Sequence, residues 1–256
     1  MKFVKPMKQV FVLAIAVILL GGCAAKVALP EAGQKVALMP TEQFVPKQKY
    51  DENKKPIPYE VTENPYLANK SKIAKGSVLL FIEAKKAKRK GNLKQAKQKL
   101  EIITKRDESL SGPWVMLGDI AVEQKDFKTA ESHYQKAIQI NDDNINAYVA
   151  LAKVQRLMGE FHVAQNTLAL ALKVWPDFPE AHLNLGVLYD LYLNQPKQAQ
   201  MHMEAYLFLN NYKNKQAIAW YQEVQSRTGI ESSFIRASEQ TATTEELIAI
   251  GGDEQQ

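Results

Sequence analysis

Two neighbouring stretches decide the fold: Ser111–Asn144, "SGPWVMLGDIAVEQKDFKTAESHYQKAIQINDDN", and Ile145–Phe178, "INAYVALAKVQRLMGEFHVAQNTLALALKVWPDF". Each is 34 residues long, and they superimpose without a gap. Trp114 falls on Tyr148, Leu117 on Leu151, Gly118 on Ala152, Phe127 on Phe161, Ala130 on Ala164, Tyr134 on Leu168 and Ala137 on Ala171. Small residues therefore recur at positions 8, 20 and 27. A small residue at a crossing lets two helix axes come within 8–10 Å, while the large residues at positions 4, 7, 11 and 24 fill the space between units. One step back gives 77–110, with Ala84 at position 8, Gly91 at 15, Ala96 at 20 and Ile103 at 27. One step forward gives 179–213, with His182, Leu185, Gly186 and Tyr189, and one residue gained in "LYLNQPKQ" before Ala199.

This period and pattern resemble the tetratricopeptide repeat. The resemblance implies an all-α solenoid of about four helix-turn-helix units over 71–229, two strong and two degenerate. One unit cannot bury its apolar face alone, so the array needs neighbours and an end cap. Residues 214–229 supply a capping helix, with Ala217, Ile218, Trp220, Tyr221 and Val224 on one side and Gly229 to end it. Pro113 and Pro179 fit first turns, Pro176 stops the helix before it, and Asn144 is expected to cap the helix that begins at Ile145.

Outside the repeats the chain changes character. Lys2, Lys5 and Lys8 precede an unbroken apolar run, Val10–Leu20, and then Leu20-Gly21-Gly22-Cys23. The run is too short to cross a bilayer and reads as a signal peptide, residues 1–22. Cys23 is the only cysteine, so it has no partner for a disulfide or a zinc site. The tetrapeptide resembles the bacterial lipobox, which implies a diacylglycerol on the Cys23 thiol and cleavage before it. Ala24 stands where an aspartate resembles an inner-membrane retention signal, so an outer-membrane, periplasm-facing location is expected. Residues 23–70 carry repeated prolines and no apolar period, and read as an extended Pro/Lys-rich linker that holds the folded part off the membrane. Residues 230–256 read as a disordered acidic tail with a weak helical patch at "TTEELIAI".

The formal net charge is +5, but removing the three leader lysines leaves 30 basic against 28 acidic residues. That excludes a charge argument for nucleic acid. The distribution is uneven, with 13 Lys or Arg and two Glu between Lys70 and Arg106. No GxSxG, HExxH or phosphate-cradling glycine loop is present, so no enzyme activity, cofactor or metal is expected. The four histidines fall at different repeat positions and are read as not converging.

Function is therefore expected in the groove. In the repeat family the first helix of each unit lines the concave face through positions 2, 5, 9, 12 and 13. Here the candidates are Phe81, Lys85, Lys88 and Arg89, then Asp119 and Glu123, then Asn146, Lys153 and Arg156, then Leu183 and Asp190. Their signs alternate along the array. Asp119 is expected either to pair with Lys85 or Lys153 or to help form an amphiphilic peptide groove. The packing candidates are Ala84, Gly118, Ala130, Ala137, Ala152, Ala164, Ala171 and Gly186. The expectation is a lipid-anchored adaptor for other envelope proteins. It looks like the lipoproteins of pilus secretins, of outer-membrane assembly, or of TonB-type systems. The alternative is charge-driven docking to cell wall or an anionic membrane.

Overall fold

The computed structural model describes residues 36–68 and 73–236. The leader, Cys23 and the "TTEELIAI" stretch lie outside the described residues. Within them, a 3-10 turn at Glu42–Phe44 precedes α1 (Pro65–Ala68), α2 (Lys75–Arg89), α3 (Leu93–Arg106), α4 (Ser111–Glu123), α5 (Phe127–Ile140), α6 (Ile145–Leu157), α7 (Phe161–Val174), α8 (Pro179–Leu191), α9 (Pro196–Leu209) and α10 (Lys215–Thr228). Four hairpins, α2–α3 to α8–α9, stack in chain order, and α10 packs on α9. The first helices of successive units also touch, α4 with α6 and α6 with α8, which makes the array a solenoid. None of these helices is long and apolar enough to cross a membrane.

The small positions do the spacing. Ala84, Ala130, Ala137, Ala164 and Ala171 are fully buried, and Ala152 nearly so. Gly118 is the tightest of them. A Cβ there would lie 2.5 Å from a ring carbon of Tyr134, and that ring is held by its hydroxyl, which donates to Asp119 at 2.8 Å. Gly186 faces Met203, whose Cγ would be 3.0 Å from an added Cβ.

The turn inside each hairpin needs one left-handed residue at the same repeat position. These are Gly91 (φ 76°), Lys125 (φ 60°), Gly159 (φ 81°) and, after the inserted residue, Asn194 (φ 50°). Glycine adopts this region freely and asparagine tolerates it, but lysine is strained there. Side-chain caps start α3, α5 and α10, where Asn92, Asp126 and Asn214 accept from the amides of Gln95, Thr129 and Ala217. Asn144 departs from expectation. It stands before α6 but its side chain makes no cap, because its Nδ2 turns away to donate to Ser111 Oγ at 2.9 Å. Gly229 ends α10 in the left-handed region as expected.

The largest difference from the sequence reading lies in the expected linker. Residues 36–62 do not hold the repeats at a distance; they form a strap along the second helices of the last two units. Val45 is buried with Met201, Ala205 and Ile235, against Phe208 and Phe234. The described start of the tail is packed too. Ser233 Oγ and the Phe234 amide donate to Glu204, and the Gln48 amide donates to the Ile235 carbonyl. Prolines forbid helix and ladder bonding but not docking, provided that side chains take the free backbone groups. Gln165 and Asn166 do so: Gln165 both accepts from and donates to the Met39 backbone, and Asn166 bonds Met39 N–H and the Ala37 carbonyl.

Three substitutions separate the packing from the turn effect. Gly118→Ala drives a methyl into the anchored Tyr134 ring and should cost about 1–3 kcal/mol. Gly186→Ala makes a tight 3.0 Å contact with the Cγ of buried but unbranched Met203, which must shift slightly, and gains helix propensity of up to about 1 kcal/mol, so its net effect should be near zero. Lys125→Gly relieves the left-handed backbone and should raise stability by about 0.5–1 kcal/mol. Urea unfolding of the three variants beside the parent chain checks the order.

Candidate protein-binding groove

The first helices of units two to four frame a concave cavity of about 840 Å³. Of the residues expected to line a groove, the structure brings six together: Lys88, Asp119, Glu123, Asn146, Lys153 and Arg156. Val122, Val149 and Leu157 supply its apolar floor, and Glu180 completes a balanced set of three cations and three carboxylates. Alternation of sign thus becomes local compensation. Lys88 of the first unit forms an ion pair with Glu123 of the second. Asp119 pairs with neither Lys85 nor Lys153; it accepts from Tyr134 of its own unit. Burial and the Asp119 charge push the Tyr134 phenol above its usual range, so it stays a donor. Arg156 donates to Tyr192 at 2.9 Å and lies over its ring. An exposed pair or contact of this kind contributes only about 0–1 kcal/mol, which leaves these charges available to a partner.

Five candidates lie elsewhere. Phe81 lines a second, apolar cleft of about 470 Å³ between α2 and the start of α4. Lys85 and Arg89 are exposed outside the cavity. Leu183 packs on the main core. Asp190 is spent on the cap: its side chain is 2% exposed, and it accepts from Trp220 Nε1 at 2.8 Å and Arg227 Nη2 at 2.6 Å.

The strap builds one lip of the groove, which the repeat pattern gave no reason to expect. Asp177, buried in the α7–α8 turn, accepts from the Tyr59 hydroxyl at 2.6 Å and from both the amide and the hydroxyl of Thr62 at 2.7 Å. Trp175 Nε1 donates back to the Thr62 carbonyl at 2.9 Å. Asn64, two residues on, then reaches the groove wall beside Trp175 and Phe178. A Trp-Pro-Asp turn with a free indole and a carboxylate was the available signal.

The strap is locked at its other end by a buried hydrogen-bond chain. His182 and His202, which were not expected to converge, lie 2.9 Å apart through their Nδ1 atoms, both fully buried. Allowing for the inserted residue, they hold the same two repeat positions as Trp114 and His133, whose rings also meet, at 5.5 Å. His182 Nε2 faces the Pro176 carbonyl, which only accepts, so it carries the proton. His182 Nδ1 then accepts from His202, and His202 Nε2 accepts from Thr41 Oγ1 at 2.8 Å. Thr41 in turn accepts from the Tyr189 hydroxyl, and Tyr189 accepts from Gln165. Every link runs in one direction only while both imidazoles are neutral. Burial pushes His182 down to about 4 and, with His182 beside it, holds His202 well below the ordinary value.

Residues 121–183 match the tetratricopeptide repeat family model. No curated protein matches the sequence. Among solved structures the chain is similar to the MamA protein of Desulfovibrio magneticus, at 15% identity over 62% of this chain and 88% of that one, TM-score 0.52. It is similar to a tetratricopeptide repeat protein of Parabacteroides merdae, at 21% identity over 61% of each chain, TM-score 0.52. It is also similar to PilF of Pseudomonas aeruginosa, at 19% identity over 69% of this chain and 77% of that one, TM-score 0.55. At these identities the likeness is one of fold. The folded part has the fold of a tetratricopeptide-repeat solenoid, with the family match itself confined to residues 121–183.

The histidine lock has a pH signature. In the unfolded chain both imidazoles take up protons near pH 6.5, while the folded chain refuses them. Their folded values are depressed, so the stability they confer is full above about pH 6.5 and is lost as pH falls toward 4. For His182 that drop corresponds to about 3 kcal/mol. Buried Glu204, whose carboxyl is raised by burial, works in the opposite sense. The pH slope of unfolding free energy between 6.5 and 4 should therefore flatten in a His182→Gln/His202→Gln chain relative to the parent. Thr41→Val, which leaves His202 Nε2 without its donor, should cost about 1–3 kcal/mol at pH 7.

Proposed function

We propose that the chain is a lipid-anchored adaptor of the bacterial envelope, attached through Cys23 to the outer membrane, facing the periplasm, and holding a segment of another envelope protein in its concave groove. The observation that carries this reading is the composition of the groove. It encloses about 840 Å³, and its Val149, Leu157 and Trp175 surface is bordered by compensated charges. Such a surface has no net preference for an anion, so its natural ligand is an amphiphilic protein segment. The lipobox-like "LGGC" supports the anchor. The complex it serves is of the pilus-secretin, outer-membrane assembly or TonB type, the systems in which lipoproteins of this kind work.

Two experiments test the two halves. A photo-reactive residue at Leu157 or Asn146, both exposed in the groove, should crosslink an envelope protein in intact cells, while the same residue at exposed Gln139 should not. Equal crosslinking from all three sites would remove the groove from the account. Separately, the parent chain should partition into the detergent phase of a membrane extract and Cys23→Ala should not; equal partition would remove the anchor.

A further inference from the structure

The solenoid is closed at one end and open at the other. At the closed end α10, the strap and residues 230–236 cover the last unit. At the other end α2 is the outermost repeat helix, and no described helix packs on its outer side in the way that α10 covers α9. Its inner face is made of Ser77, Ala84 and Ala87, all buried. Its outer face, at 100° per residue, places Lys75, Val78, Leu79, Ile82, Lys86 and Arg89 within one arc of about 100°. Leu79 and Ile82 are 52% and 56% exposed, and Val78 is 40% exposed. Leu79 thus stands in water, Val78 and Ile82 form the exposed rim of the cleft that Phe81 lines, and the three are bracketed by cations one turn before and one turn after.

The charge around this stripe is one-sided. Residues 73–106 hold 11 Lys or Arg and only two acidic residues, Glu83 and Glu101. Glu83, on the flank of the arc, is neutralised by Lys99 at 2.5 Å. Lys88 is spent on Glu123. Lys75, Lys86 and Arg89 have no ion-pair partner among the described residues.

We infer that the outer face of α2 docks on an anionic lipid surface, with Leu79 and Ile82 entering the headgroup boundary and Lys75, Lys86 and Arg89 meeting the phosphates. A stripe of aliphatics framed by long cationic side chains on one helix is the arrangement that lies in a membrane interface, because lysine and arginine stems cover apolar surface while their heads stay with the phosphates. The stripe is on a terminal helix that no described helix covers in the way that α10 covers α9, so a planar partner can reach it. The inference rests on the anchored reading for its geometry. With the Ala37 carbonyl held by Asn166, only residues 24–36 separate Cys23 from the docked strap, a tether of at most about 50 Å.

The test uses the chain from residue 24 onward, which keeps every described residue and has neither lipid nor apolar leader. Its binding to vesicles of phosphatidylglycerol in phosphatidylcholine is compared with binding to phosphatidylcholine alone, by flotation, at low and high salt. Binding is expected to the anionic vesicles only and to be lost at high salt. Lys75→Glu/Lys86→Glu/Arg89→Glu should weaken it at least about tenfold. Leu79→Ser/Ile82→Ser, which changes no charge, should weaken it about tenfold too, while Lys128→Glu/Lys136→Glu/Lys173→Glu should change it less than about twofold. All sites are exposed, and far-UV circular dichroism confirms that each variant keeps its helices. Absence of binding, equal binding to both vesicles, an unchanged affinity in the Leu79/Ile82 variant, or an equal loss in the control set would each overturn the proposal. So would binding to soluble polyglutamate without binding to vesicles, which would assign the face to an acidic protein. Because the lipid is absent throughout, failure here leaves the Cys23 partition result standing on its own.

Discussion

The Tyr134 ring lying on the bare backbone of Gly118 sets the spacing on which the array depends. A helix hairpin can stack on the next only if its own two axes are close, and closeness needs positions without a side chain to intrude. Fully buried alanines repeat that condition along the array. Once the hairpins are thin, the large residues between units, such as Tyr148, Leu151 and Leu185, fill the interfaces. The first helices then line up on one side and create a groove, and the same Tyr134 that packs on Gly118 fixes the groove's Asp119 through its hydroxyl.

A stack has two ends, and this chain treats them differently. The last unit is covered by α10, by the strap and by residues 230–236, which share one small core around Val45 and Ile235. The first unit carries its aliphatics into water. A shared fold with other repeat proteins leaves such differences open, since ends and grooves, not repeats, distinguish members of one architecture.

Much of this was legible in the residues. The 34-residue spacing of Gly118, Ala130 and Ala137 with Ala152, Ala164 and Ala171 announces the hairpins, and Gly91 and Gly159 mark their turns. Lys125 hides the same turn because side-chain type conceals a backbone requirement. The strap was not legible, since proline-rich segments have no period and their docking depends on Gln165 and Asn166, whose partners lie more than a hundred residues away. The histidine pair was missed for a different reason: one inserted residue shifts His202 out of register with His133. Asp190 was placed in the groove by its repeat position, but the capping helix, which belongs to no repeat, claims it. In general, features that follow the period could be read, and features that join the period to the flanking segments could not.

The account stands or falls on whether the amino-terminal segment is part of the folded domain, because that decides the groove lip, the buried lock and the length of the tether. Amide hydrogen exchange on the intact chain measures this directly. The Met39 and Thr62 amides, which donate to Asn166 and Asp177, should exchange slowly, with protection approaching that of α7 to α9. Exchange of these amides at the rate of an unstructured peptide, while α7 to α9 remain protected, would contradict it.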